Sequence, residues 1–229
     1  MAPALSIIIP TLNEAQQIGW RLKQLQALRL AGVEVILADG GSTDQTVEYA
    51  LPLVDHVVAA PRGRAAQMNA GAACASGAAL LFLHADTRLP QEADSLIAAA
   101  LEARAWGRFD IALTGRHWLL KMVATMMNRR SRLTGIATGD QAIFVQRTVF
   151  DALGGYAPIV LMEDIELSTR LRRISRPACL PQKVISSGRR WKKYGICRTI
   201  WLMWRLRLAY FFGADPQALA LAYGYRPAP

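Results

Sequence analysis

Several things are scarce in this 229-residue chain, and each scarcity removes a class of protein. Cysteine occurs three times, at Cys74, Cys179 and Cys197, an odd and scattered set with no C-x-x-C pair. That excludes a disulfide framework and fits a reducing cytoplasm. The three histidines and three cysteines show no zinc-ligand spacing. No apolar run approaches the roughly 20 residues of a spanning helix. Near the start, "ALSIIIP" is short, lacks a charged region before it and ends in proline, so it reads as a strand rather than a signal peptide. There is no G-x-G-x-x-G after that strand and no G-x-x-x-x-G-K-[ST] anywhere, which removes the usual dinucleotide and P-loop fingerprints.

Acid is scarce in one half only. Residues 1–110 hold 8 Lys/Arg and 11 Asp/Glu, whereas residues 111–229 hold 19 and 6. A basic half suits a polyanionic partner, either an anionic membrane, a phosphorylated substrate or nucleic acid, or else only a solubilising surface. Nucleic acid is not expected, because basic and aromatic residues are not clearly interleaved on a sheet or recognition helix.

What is present is an alternation. "LSIIIP" (5–10), "VEVILAD" (33–39), "HVVAA" (56–60) and "ALLFLHAD" (79–86) are short continuous apolar strings, as expected of strands buried on both faces. Between the first two, Ile18, Leu22, Leu25 and Leu28 follow helical spacing, with Asn13 and Gln16 placed as a capping box. Helices are expected again at 64–76 and from Pro90 to about 104. Beyond 110, "FDIALTG" and "QAIFVQ" read as strands flanking an apolar helix at 117–128, and 164–174 is sharply helical. At this length one domain suffices. Strand and helix in alternation imply a parallel sheet with right-handed crossovers and a ligand beyond the strands' carboxyl ends.

Polar groups gather at those ends. "PTLNE" offers Thr11, Asn13 and Glu14 at a helix start. "ADGGSTDQT" leaves Asp39 at a strand tip, able to accept a pyrimidine N–H or a ribose hydroxyl, and Ser42 with Gln45 repeats the capping-box spacing. Arg62 and Arg64, opening the helix after the third strand, either meet phosphate or are simply solvated. "LFLHADT" ends a strand with His84 and Asp86 two residues apart, hence on one face. A magnesium or manganese ion can be held by one carboxylate when a diphosphate brings the other ligands, and His84 either joins it or hydrogen-bonds the phosphate.

These stretches in this order resemble the family-2 inverting glycosyltransferases. "SIIIPTLNEAQQI", "ILADGGSTDQT", "RGRAAQMNAGAACASG", "LFLHADT" at the family's Asp-x-Asp position and "LMEDIELSTRLRR" at its Glu-Asp pair carry the likeness. "HADT", "TGDQAIF" and the late "RRW" look most like a bacterial subgroup encoded beside radical-SAM enzymes and labelled arsenosugar-biosynthesis glycosyltransferases. The resemblance implies an α/β fold of the GT-A type, a single Rossmann-like domain with a mostly parallel mixed sheet flanked by helices and a basic helical carboxyl-terminal segment. It divides into a nucleotide-binding half (1–110), an acceptor and catalytic half (111–193) and that segment (194–229).

The same resemblance implies Asp164 as general base with Glu163 beside it, and Asp86 as the ligand of a divalent cation, Mg or Mn. It implies nucleoside contacts from Thr11, Glu14 and Asp39 and diphosphate contact from Asp86. Pro10, Arg62, Arg64, His84, Ala85, Arg190 and Trp191 are further candidate donor contacts, and Asp140 and Gln141, at the entry of a strand near the same edge, are expected to line the acceptor or the donor-sugar pocket. The donor is a nucleoside-diphosphate sugar, with UDP favoured over GDP, and the acceptor is an unnamed hydroxyl. A glutamine of the processive members is replaced by Ser187, which argues against a polymerising synthase. Residues 194–213 form a helix for peripheral contact with the inner face of the membrane or for a homodimer. Arg198 and Arg205 share one side and Arg207 lies opposite, so it does not read as a clean interfacial helix. The competing reading is a non-catalytic nucleotide or RNA binder with a degenerate metal site.

Overall fold

The structure, a computed structural model, describes residues 3–225, without the side chain of Arg190. Seven strands, β1 (Leu5–Thr11), β2 (Glu34–Asp39), β3 (His56–Ala59), β4 (Ala79–Phe82), β5 (Trp106–Leu113), β6 (Phe144–Gln146) and β7 (Ala178–Ser186), form one sheet in the order β3-β2-β1-β4-β6-β5-β7. The first four are parallel. β6 runs antiparallel to both β4 and β5, and β7 parallel to β5. The helices are α1 (Ala15–Lys23), α2 (Gln26–Leu30), α3 (Thr46–Ala50), α4 (Arg64–Cys74), α5 (Ala93–Ala103), α6 (Trp118–Thr134), α7 (Arg147–Ala152), α8 (Glu163–Ile174), α9 (Arg189–Tyr194), α10 (Ile196–Phe211) and α11 (Pro216–Tyr223).

The continuous apolar strings follow from a sheet covered on both faces. Ile7, Ile9, Val35 and Leu37 pack with Ile18 and Leu22 of α1 and Ile97 of α5. The alternate residues Ile8, Ile36, Leu80 and Phe82 pack with Ala65, Met68 and Ala72 of α4 and with Leu167 and Leu171 of α8. α4 lies so close to β1 that a Cβ on Gly71 would fall 2.5 Å from Ile8 Cγ2. Parallel register sets Thr11 beside Asp39, which brings two polar strand tips to one rim.

Several expectations are corrected. β3 is an edge strand with His56 and Ala59 exposed, not a strand buried on both faces. β4 stops at Phe82. Beyond it Leu83 N–H still donates to Ile8 O, but Thr87 N–H turns back onto His84 O, so His84 and Asp86 sit in a turn and do not share a strand face. α5 begins at Ala93, three residues after Pro90. Neither expected capping box forms. Asn13, at φ 54°, accepts Thr43 N–H on its side chain. The start of α1 is capped from the neighbouring loop, with Glu14 N–H donating to Thr46 Oγ1 and Ala15 N–H to Asp44. Ser42 accepts from Asn13 N–H and donates to Asp39 instead of capping α3.

β7, α7 and α9 are marked by no pattern in the sequence. Pro181 hides β7 from pattern reading, and it falls where the β5–β7 register shifts between Phe109 and Asp110, at the sheet edge that tolerates proline.

Candidate active site

At the carboxyl rim of the sheet, the loops after β1 and β2 are laced together by the Asn13, Ser42, Thr43 and Asp44 bonds. Asp39 is nearly buried, and its carboxylate accepts the N–H groups of Gly41 and Ser42 as well as the Ser42 hydroxyl. It therefore shapes the loop first, and any ligand contact uses its remaining lone pairs. Beneath, Gln67 of α4 is buried and donates to both Thr11 O (2.6 Å) and Ala38 O (2.9 Å), pinning the two strand tips to each other.

The next position along the rim is Glu14, half-buried. Burial raises its carboxyl above the ordinary value, and the nearby Asp86 adds to this, while Arg189 pulls it down. Arg189, the first residue of α9, reaches Glu14 at 3.5 Å and Asp86 at 3.9 Å. It thus bridges the expected nucleoside and diphosphate ends of the site. The side chain of its neighbour Arg190, the donor contact expected from the sequence, lies outside the described residues. Trp191 is half-buried on the same short helix.

The His84 Nδ1 lies 3.1 Å from Asp140 Oδ1, and a Cβ on Gly139 would fall 2.5 Å from its Nε2. One ring nitrogen is thus engaged by Asp140 and the other faces the 138–141 turn. Gln141 is fully buried, with Oε1 accepting Thr138 N–H and Nε2 3.4 Å from Asn128 Oδ1. Of the Asp140–Gln141 pair, only Asp140 is open to the rim.

Gly139 continues the line, donating its N–H to Asp164 Oδ2 at 2.8 Å, while Ile165 N–H meets Oδ1 at 2.7 Å. Both carboxylate oxygens of Asp164 are thereby oriented by backbone, in the first turn of α8, where the helix dipole favours negative charge. Glu163 beside it is buried. Burial, and then the charge of Asp164, push its carboxyl up to about 7, against the pull of Arg64. Arg64, half-exposed, stands 3.9 Å from Glu163, whereas Arg62 is exposed.

Polar groups thus run along the rim in linked segments, Asp39–Ser42–Asn13, Glu14–Arg189–Asp86, His84–Asp140 and Gly139–Asp164. A cavity of about 700 Å³ adjoins the rim at His84 and Ala85 but runs off between α1, α2 and the 87–92 loop. None of Asp39, Asp86 or Asp164 lines it, so these three carboxylates stand outside this cavity. No cluster of three His, Cys, Asp or Glu among the described residues is set to hold a metal ion. Asp86 by itself is a single hard carboxylate, and such a donor suits a cation only if the ligand supplies further oxygens.

Residues 6–150, well over half the chain, match the family described as Glycosyl transferase family 2. The chain belongs to that family. A PGL/p-HBAD biosynthesis glycosyltransferase of Mycobacterium tuberculosis (strain ATCC 25618 / H37Rv) is 33% identical over 175 residues, covering 68% of this chain and 64% of the relative. This family 2 chain therefore spans just under two thirds of the length of that curated relative.

Among solved structures, Staphylococcus aureus TarS 1–349 in complex with UDP superposes with a TM-score of 0.66 at 19% identity, over 82% of this chain and 60% of the other. The mannosyltransferase PcManGT of Pyrobaculum calidifontis, in complex with GDP-Man and Mn2+, gives 0.65 at 21% over 100% and 66%. At such identities the likeness is one of fold, which is the GT-A type.

Three residues that hold this rim together are marked by no local pattern in the sequence. Arg189 sits beside an equally basic neighbour. Gln67 and Asn69 lie inside "RGRAAQMNAGAA", on a helix whose register against β1 no local pattern announces. Asn69 holds the loop leading to α8, donating to Tyr156 O and accepting Tyr156 N–H, both at 2.9 Å.

Proposed function

We propose that the protein is a metal-assisted inverting glycosyltransferase that moves a sugar from a nucleoside-diphosphate sugar to an acceptor hydroxyl. The observation that carries this reading is the carboxylate of Asp164, held on both oxygens at the start of α8, on the same rim as the more open carboxylate of Asp86, which Arg189 ties to Glu14. In this reading Pro10, Thr11, Glu14 and Asp39 receive the nucleoside. Arg189 and Arg64, with Arg62, Arg190 and Trp191 near them, face the diphosphate and the sugar. Asp86 would hold a divalent cation together with diphosphate oxygens, and that cation supplies charge neutralisation at the leaving group.

Asp164 receives the acceptor proton as the acceptor oxygen bonds to the anomeric carbon and the bond from that carbon to the diphosphate breaks on the opposite side. Its two backbone N–H bonds fix it for this task without reorganisation. Glu163, buried against Arg64, positions the start of α8. Relatives of this fold were solved with UDP, and one with GDP-Man and Mn2+, and a UDP-sugar is the first donor to try. The "HADT", "TGDQAIF" and "RRW" stretches favour the bacterial arsenosugar-type subgroup, and a cytoplasmic site of action belongs to the same proposal.

The test is release of nucleoside diphosphate from a panel of UDP- and GDP-sugars with and without Mn2+. Turnover surviving both Asp164→Asn and Asp86→Ala would overturn the assignment. Donor binding without turnover on any acceptor class would favour the non-catalytic nucleotide binder instead.

A further inference from the structure

Helix α10 has two faces of different kinds. Leu202, Met203, Leu206, Ala209 and Tyr210 pack with Leu161, Met162 and Ile165 beside the start of α8 and with Leu219 and Tyr223 of α11. On the other side Trp201 (62% exposed), Trp204 (62%), Leu208 (60%), Phe211 (81%) and Phe212 (77%) face outward. At about 100° per residue these five span an arc of about 100°. Arg198 and Arg205 run along one border of the arc and Arg207 along the other. The arginines that looked incompatible with an interfacial helix in the sequence are its two flanks, because the packed face occupies a third sector. Arg205 lies over the Trp201 ring at 5.1 Å, and Lys192 and Lys193 of α9 precede the stripe, both exposed.

The core of α10 is already satisfied by its packed face, so burial within the chain does not account for five large exposed apolar side chains in one stripe. Charge selects the occupant. Residues 167–214 contain twelve Lys/Arg and no Asp/Glu. A second copy docked through this stripe would set that cationic stretch against itself. A lipid surface bearing anionic headgroups accepts both components, apolar rings below the headgroups and cations among them. No helix among the described residues is long and apolar enough to cross a bilayer.

We propose that α10 docks the protein on an anionic membrane, lying in the plane of the interface with Trp201, Trp204, Leu208, Phe211 and Phe212 inserted. No residue of this stripe belongs to the catalytic reading, and the surface stands whether or not that reading holds.

Sedimentation of the full chain with vesicles tests it. Vesicles of phosphatidylcholine with three parts in ten phosphatidylglycerol are expected to carry the protein down, and pure phosphatidylcholine vesicles to leave it in solution. Lys192→Gln with Lys193→Gln and Arg198→Gln should weaken partition roughly a hundredfold, at about fivefold per cation. Trp201→Ser with Trp204→Ser and Phe211→Ser should weaken it at least tenfold at unchanged melting temperature.

If that triple variant does not fold, the milder pair Trp201→Phe and Trp204→Phe serves, since it should abolish the part of the fluorescence quenched by brominated lipid. Equal sedimentation of wild type and folded stripe variants would overturn the proposal. So would retention in solution with anionic vesicles, whether the protein then proves to be a dimer that the stripe variants split or a binder of single-stranded RNA.

Discussion

Asp164 and Asp86 stand at the same rim yet are held in contrasting ways. Backbone N–H groups from Gly139 and Ile165 hold Asp164 on both oxygens. Asp86 has a long contact from Arg189 at 3.9 Å and a weak one from the adjoining Thr87 hydroxyl at 3.5 Å. One carboxylate is held on both oxygens; the other has only long contacts. The contrast suits a proton acceptor, which gains from fixed geometry, and a charge partner, which must adjust to what binds.

The sharpest way to break this contrast is Asp164→Asn. It should lower kcat by about 10²–10⁴-fold, the usual worth of a general base, with donor affinity unchanged in calorimetric titration. Asp86→Ala should do the reverse, weakening Mn2+-dependent donor binding by roughly tenfold or more, about 1.4 kcal/mol.

Glu163 adds a pH signature. Its carboxyl rises from an ordinary 4.5 to about 7 in the fold, so the folded state binds the extra proton and stability is greatest below the lower value. Between the two it falls as pH rises, by up to about 3 kcal/mol. Glu163→Gln should flatten the melting temperature between pH 5 and pH 8. Asn69→Ala leaves both backbone groups of Tyr156 without their partner and should cost about 1–3 kcal/mol in urea unfolding. Arg189→Ala should change stability least, by about 0–1 kcal/mol, because its pairs are half-exposed; its effect belongs in donor affinity.

Where local chemistry dictates structure, the sequence is enough. "LSIIIP", "VEVILAD" and the 164–174 helix become β1, β2 and α8 because apolar runs and acids at a helix start have few alternatives. The sheet's parallel half, and the positions of Asp39, Asp86 and Asp164 at its rim, follow from that. Long-range geometry is not written in such patterns. His84 reads as Asp86's companion until the strand stops at Phe82 and the ring pairs with Asp140. Asn13 reads as a cap until the neighbouring loop takes over capping. Arg189 and Arg190 are indistinguishable until α9 is set against β1's loop, and Pro181 masks β7 until the edge bulge that accommodates it is seen.

Helix α4 reaches both ends of the rim at once. Two residues apart, Gln67 grips the carbonyls of Thr11 and Ala38 while Asn69 grips Tyr156 ahead of α8, and Gly71 fastens the same helix onto Ile8 with no room to slide. A slip of α4 by a single turn would therefore shift the two strand tips and the loop ahead of α8 together. The spacing between those two ends of the rim is thus set by one rigid rod beneath them, while the loops above can vary without altering that stride.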